Sequence, residues 1–374
     1  MKKFILPVLL CLLLAACDSE SRGKMTVELF DNRGWTDYKG LSETTNLSDA
    51  SFYIQSDTFR LHFYGWSQDE DSVFYVDFPE DAQSCGRCLI EYTMCGWNKG
   101  PAEWDMTTQI MVCDPETDEW YEITRCITPY GGSFNSMWEK MYYLDVTPLI
   151  PLLKGHTKFK IFYCGWDATA SRAHACTLGF YFFKEKNPYG RPSWHQKVYD
   201  SFSSGNTGYR SWAYGVAGHS IEDSLRLGHR VIHVPAGTKN IVLRSCLTGH
   251  GQDALTVGNG RFPGRSGYKP VNVAEFDYNE YHIVLNGDTL SQTGYIFEKN
   301  GGNYSQAGTY KYDRCGWGPG KPCNVHYWAI RNIPSDMGVI DIDFDLDEYV
   351  GKNTAPNAES VAQFYVAVDA FGYN

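Results

Sequence analysis

A chain of 374 residues with a formal net charge of −11 is long enough for two domains with sizeable cores, and its acidity excludes nucleic acid, which calls for a basic face. Aromatic residues make up 15% of the chain and glycines number 36, a balance that favours strands and turns over helices. Beyond the first residues no apolar run is long enough for a membrane-spanning helix.

The N-terminus reads "MKKFILPVLLCLLLAACDSES": two lysines, a short apolar core and small residues before a cysteine, the pattern of a secretory signal. Its ending, Leu14-Ala15-Ala16-Cys17, resembles the lipobox of bacterial lipoproteins. That resemblance implies a signal peptide over residues 1–16, cleavage before Cys17, lipid on the Cys17 sulfur and a tether over residues 17–26. The "DSES" behind the cysteine resembles the export tag of surface lipoproteins in some Gram-negative bacteria, so the expected location is the outer membrane or cell surface, with lipid as the only membrane contact. Of the 12 cysteines, ten remain once Cys11 and Cys17 are set aside, and an oxidising compartment makes a disulfide framework the expectation, with its pairing open. Cys85-Gly-Arg-Cys88 has the spacing of a zinc or redox pair, but no second Cys-x-x-Cys completes a zinc site. Cys315 and Cys323 flank "GWGPGKP" and are spaced to bridge a loop.

Runs such as "SVFYVDF", "KFKIFYCGW", "LGFYFF", "RVIHV", "NIVLRSCL" and "SVAQFYVAVDAF" are short, rich in aromatic and β-branched residues, and separated by Gly, Pro, Asn and Asp. This is an all-β signature, a sandwich or jelly roll. The one candidate helix, "VTPLIPLLKG", is limited by its two prolines to a turn or two. After "LGFYFF" the pattern breaks into a stretch rich in Pro, Gly and Ser, which places a domain boundary near Asn187 and divides the body into residues 27–186 and 187–374. The Tyr64-Gly-Trp66, Cys95-Gly-Trp97, Cys164-Gly-Trp166 and Cys315-Gly-Trp317 triplets are too irregularly spaced to be a repeat.

His229-x-x-x-His233 puts two imidazoles on one face of a strand without a third ligand of matching spacing, and His282 and His326, each beside a tyrosine, read as packed residues. No Gly-x-Ser-x-Gly elbow is present, so no metal, cofactor or serine nucleophile is expected. What remains is carboxylates beside tryptophans. Asp114 to Asp118 is a turn and "EWYEI" a strand after it, so Glu119 reads as a hairpin surface residue. Glu103-Trp104-Asp105 instead follows Gly-Pro at the opening of a strand, an edge where functional groups are displayed. Glu275 in "VAEFDYNEYHIVLNG" and Arg314 before "CGWGPG" likewise put charge next to a ring, and aromatic platforms beside carboxylates suit carbohydrate.

The order "AEWD", "EWYEI", "RCITPY", "LDVTPLIPLLKGHTKFKIFYCGW", then "NIVLRSCLTGHGQ", "VAEFDYNEYHIVLNG", "YDRCGWGPG" and the closing "FYVAVDAFGYN" resembles the peptide-N-glycosidase F family, bacterial amidases that remove N-linked glycans from asparagine. The resemblance implies two side-by-side antiparallel jelly-roll domains with the site between them. It also implies catalytic roles for Asp105, Glu275 and Arg314, with Trp166 and Trp317 as substrate-binding tryptophans, while Trp104 beside Asp105 is read from its position as a further wall of the pocket and Asp167 as a further substrate contact. Where the family carries a glutamate two residues before the Trp166 position this chain has Cys164, and Asp167 is the carboxylate nearby. His250 and Gln252 stand where the family has tryptophan and histidine, and Ala102, Val273 and Asp277 occupy family cysteine positions. The implied activity is hydrolysis of the bond between asparagine and the glycan of glycoproteins or glycopeptides by a monomer. The alternative is a non-catalytic glycan-binding lipoprotein of the same fold. A copper monooxygenase of paired jelly rolls would need histidines grouped by domain, and the ten histidines show no such grouping.

Overall fold

The computed structural model describes residues 25–31, 35–37, 45–61, 70–164, 172–200, 227–250, 275, 280–287, 292–295, 297–298, 305–308, 310, 312, 314–346 and 363–374. The expected all-β architecture is what these residues form: antiparallel sheets stacked as two sandwiches. In the first, a five-stranded sheet runs in the order Lys321–Pro322, Trp120–Ile127, Thr107–Cys113, Gly155–Cys164, Glu70–Phe78. It faces a sheet in the order Trp35–Asp37, Glu139–Asp145, Arg87–Asn98, Arg172–Phe183, Phe52–Gln55, with Phe59–Leu61 also on Arg172–Phe183. Between them lie Ile90, Tyr92, Ile110, Ile123, Phe159, Leu178 and Phe180. The second sandwich stacks Thr26–Asp31, His326–Arg331, Asn240–His250, Gln363–Tyr373, Pro192–Asp200 on Arg230–His233, Val339–Leu346, Glu280–Leu285, Gln292–Tyr295. Its core holds Leu243, Leu247, Ile283, Trp328, Ile342 and Val368.

The chain passes between sandwiches after Phe183 and before Pro192. Thr26–Asp31 departs from the division read in the sequence. It pairs with His326–Arg331 of the second sandwich, because Met25 and Val27 pack into that core and the strand covers an open sheet edge. Lys321–Pro322 makes the reverse crossing, pairing with Trp120–Ile127 of the first. The "VTPLIPLLKG" segment is a 3-10 turn, Thr147–Leu152, as Pro148 and Pro151 require.

The two sandwiches meet through sheets buried on both faces, so Thr107–Cys113 and Asn240–His250 are covered along nearly their whole length. Alternate residues of Asn240–His250 face opposite ways: Leu243 and Leu247 enter the second core, while Val242 and Cys246 join the first. The seam also buries charge. Arg125 Nη2 lies 2.9 Å from Glu122 Oε2, its Nη1 donates to Thr248 Oγ1 at 2.5 Å and to the Tyr365 carbonyl at 3.0 Å, and Gln109 donates to the same Glu122 oxygen. Arg244 Nη2 donates to the Ile123 carbonyl at 2.6 Å.

The expected disulfide framework is absent among the described residues. Cys85, Cys88, Cys95, Cys113, Cys126, Cys176, Cys246 and Cys323 carry unbridged thiols, so the Cys315–Cys323 loop bridge is not made either. Most stand on strands inside apolar cores, where burial raises the thiol pKa and keeps it protonated, as at Cys126, Cys176 and Cys246. His229 lies before the strand Arg230–His233, 3.4 Å from Asp341 and 3.8 Å from Asp343, and buried His326 is hydrogen-bonded to Tyr281. Cys17 lies outside the described residues.

Candidate active site

Asp105 sits in a loop fixed by backbone bonds before any side chain acts. Thr128 N donates to the Met106 carbonyl at 2.8 Å, and Met106 N donates to Thr128 Oγ1 at 2.7 Å. Thr128 Oγ1 donates to the Trp104 carbonyl at 3.2 Å, and Gly131 N donates to the carbonyls of Ala102 and Glu103, each at 3.1 Å. A Cβ at position 131 would stand 2.1 Å from the Ala102 carbonyl oxygen, so only glycine permits this staple. Arg172 Nη1 adds contacts to the Pro101, Gly131 and Phe134 carbonyls. The result holds Asp105 two residues before the strand Thr107–Cys113.

The residue as a whole is partly covered, yet its carboxyl is enclosed, and burial raises its pKa to about 6. The Arg314 charge and a hydrogen bond from Tyr130 work against that rise. Arg314 is fully buried, donating from Nη2 to the Tyr130 hydroxyl at 3.1 Å and from Nη1 to the Tyr312 carbonyl at 3.1 Å. Its Nε lies 3.4 Å from Glu275 Oε1. Asp105, Arg314 and Glu275, separated widely in sequence, thus form one constellation. A carboxyl titrating near neutrality beside a fixed guanidinium can take a proton from water while positive charge stands ready for a developing oxyanion.

The tryptophans divide. Trp104 is 48% exposed. Trp317, expected as a second platform, is 3% exposed: the Arg314 guanidinium sits 4.7 Å from its ring centroid, His250 stacks at 5.2 Å, and its Nε1 donates to the Gly249 carbonyl at 2.7 Å. It is a buried support for Arg314, because a ring 3% exposed, with a cation and an imidazole already packed against it, has no face left for sugar. Burial keeps the supporting His250 neutral, its pKa well below the usual histidine range, with Arg125 and Arg314 adding to the effect.

Trp166 and Asp167 lie outside the described residues. Cys164 ends the strand Gly155–Cys164 directly opposite Thr107, so the position at which this chain lacks the expected glutamate lies beside the strand that Asp105 opens. Glu119 is an exposed hairpin residue, as read. Sequence reasoning missed Tyr130, quoted only within "ITPY", and Trp97, which is 42% exposed at the foot of the Asp105 loop.

No family model matches the chain. A curated relative, the peptide-N(4)-(N-acetyl-beta-D-glucosaminyl)asparagine amidase F of Elizabethkingia miricola, is 27% identical over 272 residues, covering 72% of this chain and 69% of the relative. The fold is similar to that of PNGase F, a glycosylasparaginase from Flavobacterium meningosepticum, with a TM-score of 0.64 and 21% identity over 86% of this chain and 96% of that one. PNGF-II is similar at a TM-score of 0.58 and 15% identity, over 90% of this chain and 68% of its own.

Proposed function

We propose, for a chain that belongs to the peptide-N-glycosidase F family, that it hydrolyses the amide bond joining an N-linked glycan to asparagine in glycoproteins or glycopeptides. The observation that carries this reading is the Asp105 carboxyl, poised at about 6 against the Arg314 guanidinium, with the exposed Trp104 as its chain neighbour. Asp105 accepts a proton from water as that water attacks the side-chain carbonyl carbon. Arg314 balances the negative charge that grows on the carbonyl oxygen, and Glu275 orients Arg314. As the C–N bond breaks, the protonated Asp105 passes that proton to the departing nitrogen, so the glycan leaves as its amine and aspartate remains in the peptide. The exposed Trp104 and Trp97 offer ring faces to the innermost sugars, and the family resemblance adds Trp166 and Asp167 to the substrate contacts.

Cys164 favours a second reading, a glycan-binding protein of the same fold that does not cleave, since the expected carboxylate is absent there. We assign the chain an N-terminal lipid anchor on Cys17 and a place at the outer membrane or cell surface, on the strength of Leu14-Ala15-Ala16-Cys17. Incubation with a panel of N-glycopeptides followed by mass spectrometry tests the enzyme reading. Conversion of glycosylated asparagine to aspartate supports it, and glycopeptides bound but unaltered across the panel favour the alternative.

A further inference from the structure

Asp105 and Arg314 belong to different segments of the molecule, and one side chain touches both. The Tyr130 hydroxyl has one proton to give and two lone pairs to accept with. It accepts from Arg314 Nη2 at 3.1 Å and donates to the Asp105 carboxylate. Tyr130 is itself gripped from the second half of the chain. Its backbone N–H donates to Gln306 Oε1 at 2.9 Å, and Gln306 Nε2 donates to the Pro319 carbonyl at 2.8 Å, all three in buried surroundings. A Cβ on Gly308, whose φ is +69°, would stand 2.9 to 3.0 Å from three Tyr130 ring atoms, so the ring is packed against bare backbone on that side. The next residue, Gly131, is stapled to the Asp105 loop through its N–H, so the backbone that carries Tyr130 is fixed to that loop.

We infer that Tyr130 is the positioning residue of this site, coupling the carboxylate of Asp105 to the guanidinium of Arg314 and holding the base in one orientation. The inference rests on the amidase reading for its effect on turnover, but its structural content does not. Among the described residues, Arg314 and Tyr130 are the charged or titratable groups that meet Asp105, and Glu275 acts on it through Arg314, 3.4 Å from that guanidinium. Removing the phenol hydroxyl takes away a donor that favours the ionised carboxylate, so Asp105 should bind its proton more tightly.

The test is Tyr130→Phe in the full chain, with Asp105 followed by carbon-13 NMR of labelled aspartate and its resonance assigned through Asp105→Asn. The midpoint should move upward by about one pH unit or more, the effect of losing one hydrogen bond to a charged group. On a glycopeptide the acid limb of kcat/KM should move with it, and kcat should fall on the order of tenfold or more with KM nearly constant. Gln306→Ala, which releases the Tyr130 N–H, should move the midpoint in the same direction and guards against misfolding of the first variant. Asp105 midpoints unmoved in both folded variants overturn the inference, whether or not the parent cleaves. A moved midpoint in a protein that cleaves nothing sustains the positioning role and counts only against the amidase reading.

Discussion

The Asp105 carboxyl should make the folded protein less stable at neutral pH than it would be without a charge there. Its pKa is raised from 3.8 to about 6 on folding, so the folded state holds the proton more tightly than the unfolded chain. Stability from this group is fully present below about pH 4 and is lost as pH rises through about 6. Two units at about 1.4 kcal/mol each set a ceiling of about 3 kcal/mol, and partial exposure of the residue reduces the expectation to about 1–2 kcal/mol. Asp105→Asn removes the titration while keeping the shape. Urea unfolding of parent and variant at about pH 4 and about pH 7.5 gives two stability differences, and subtracting one from the other cancels whatever else the amide does to the fold. The variant should gain about 1–2 kcal/mol on the parent between the two pH values while losing all glycan release. A stability difference that does not change with pH would refute the reasoning, and so would one that favours the parent at the higher pH.

Trp104→Ala should weaken glycopeptide binding in calorimetry while changing stability by no more than about 0.5 kcal/mol, since the ring is exposed. Trp317→Ala should cost about 3–5 kcal/mol in denaturant unfolding, because its buried ring supports Arg314. Cys164→Glu should raise release, on the order of tenfold or more in kcat/KM, if the missing carboxylate limits the parent. Cys17→Ala should move the protein from the membrane to the soluble fraction on sedimentation, and continued sedimentation would exclude the lipid anchor.

How much of this was legible depended on how many faces of each strand are buried. In Gly155–Cys164 the alternation of Lys158, Phe159, Lys160 and Ile161 announces a strand with one wet face, and both lysines lie over the Trp120 ring on the outer side. Thr107–Cys113 and Asn240–His250 offer no such alternation, because the seam covers their second face and places Gln109, Arg244 and Thr248 where a pattern reader expects solvent. The pairing of Thr26–Asp31 with His326–Arg331 was invisible for another reason: it joins opposite ends of the described chain, and no local pattern encodes a partner that distant.

Within the site, residue type pointed to Asp105, Glu275 and Arg314 because charge beside aromatic rings is uncommon enough to notice. It said nothing about which ring stays exposed. Trp104 and Trp317 look alike in sequence, yet the first borders a loop whose backbone is consumed by staples to Thr128 and Gly131, leaving its ring outside. The second lies beneath Arg314, where the guanidinium takes its ring before any sugar could. The same difference explains why the site lies where the two sandwiches meet. A carboxyl held near neutrality needs burial to raise its pKa and a cation to limit the rise, and the loop carrying Asp105 supplies the first while the segment carrying Arg314 supplies the second. Neither half alone carries both, so any motion that separates them should drive the Asp105 pKa upward as the guanidinium withdraws, or back toward its ordinary value once water enters. A change in how the halves meet should therefore show as a departure of the Asp105 midpoint from about 6, its direction telling a withdrawn cation from entering water.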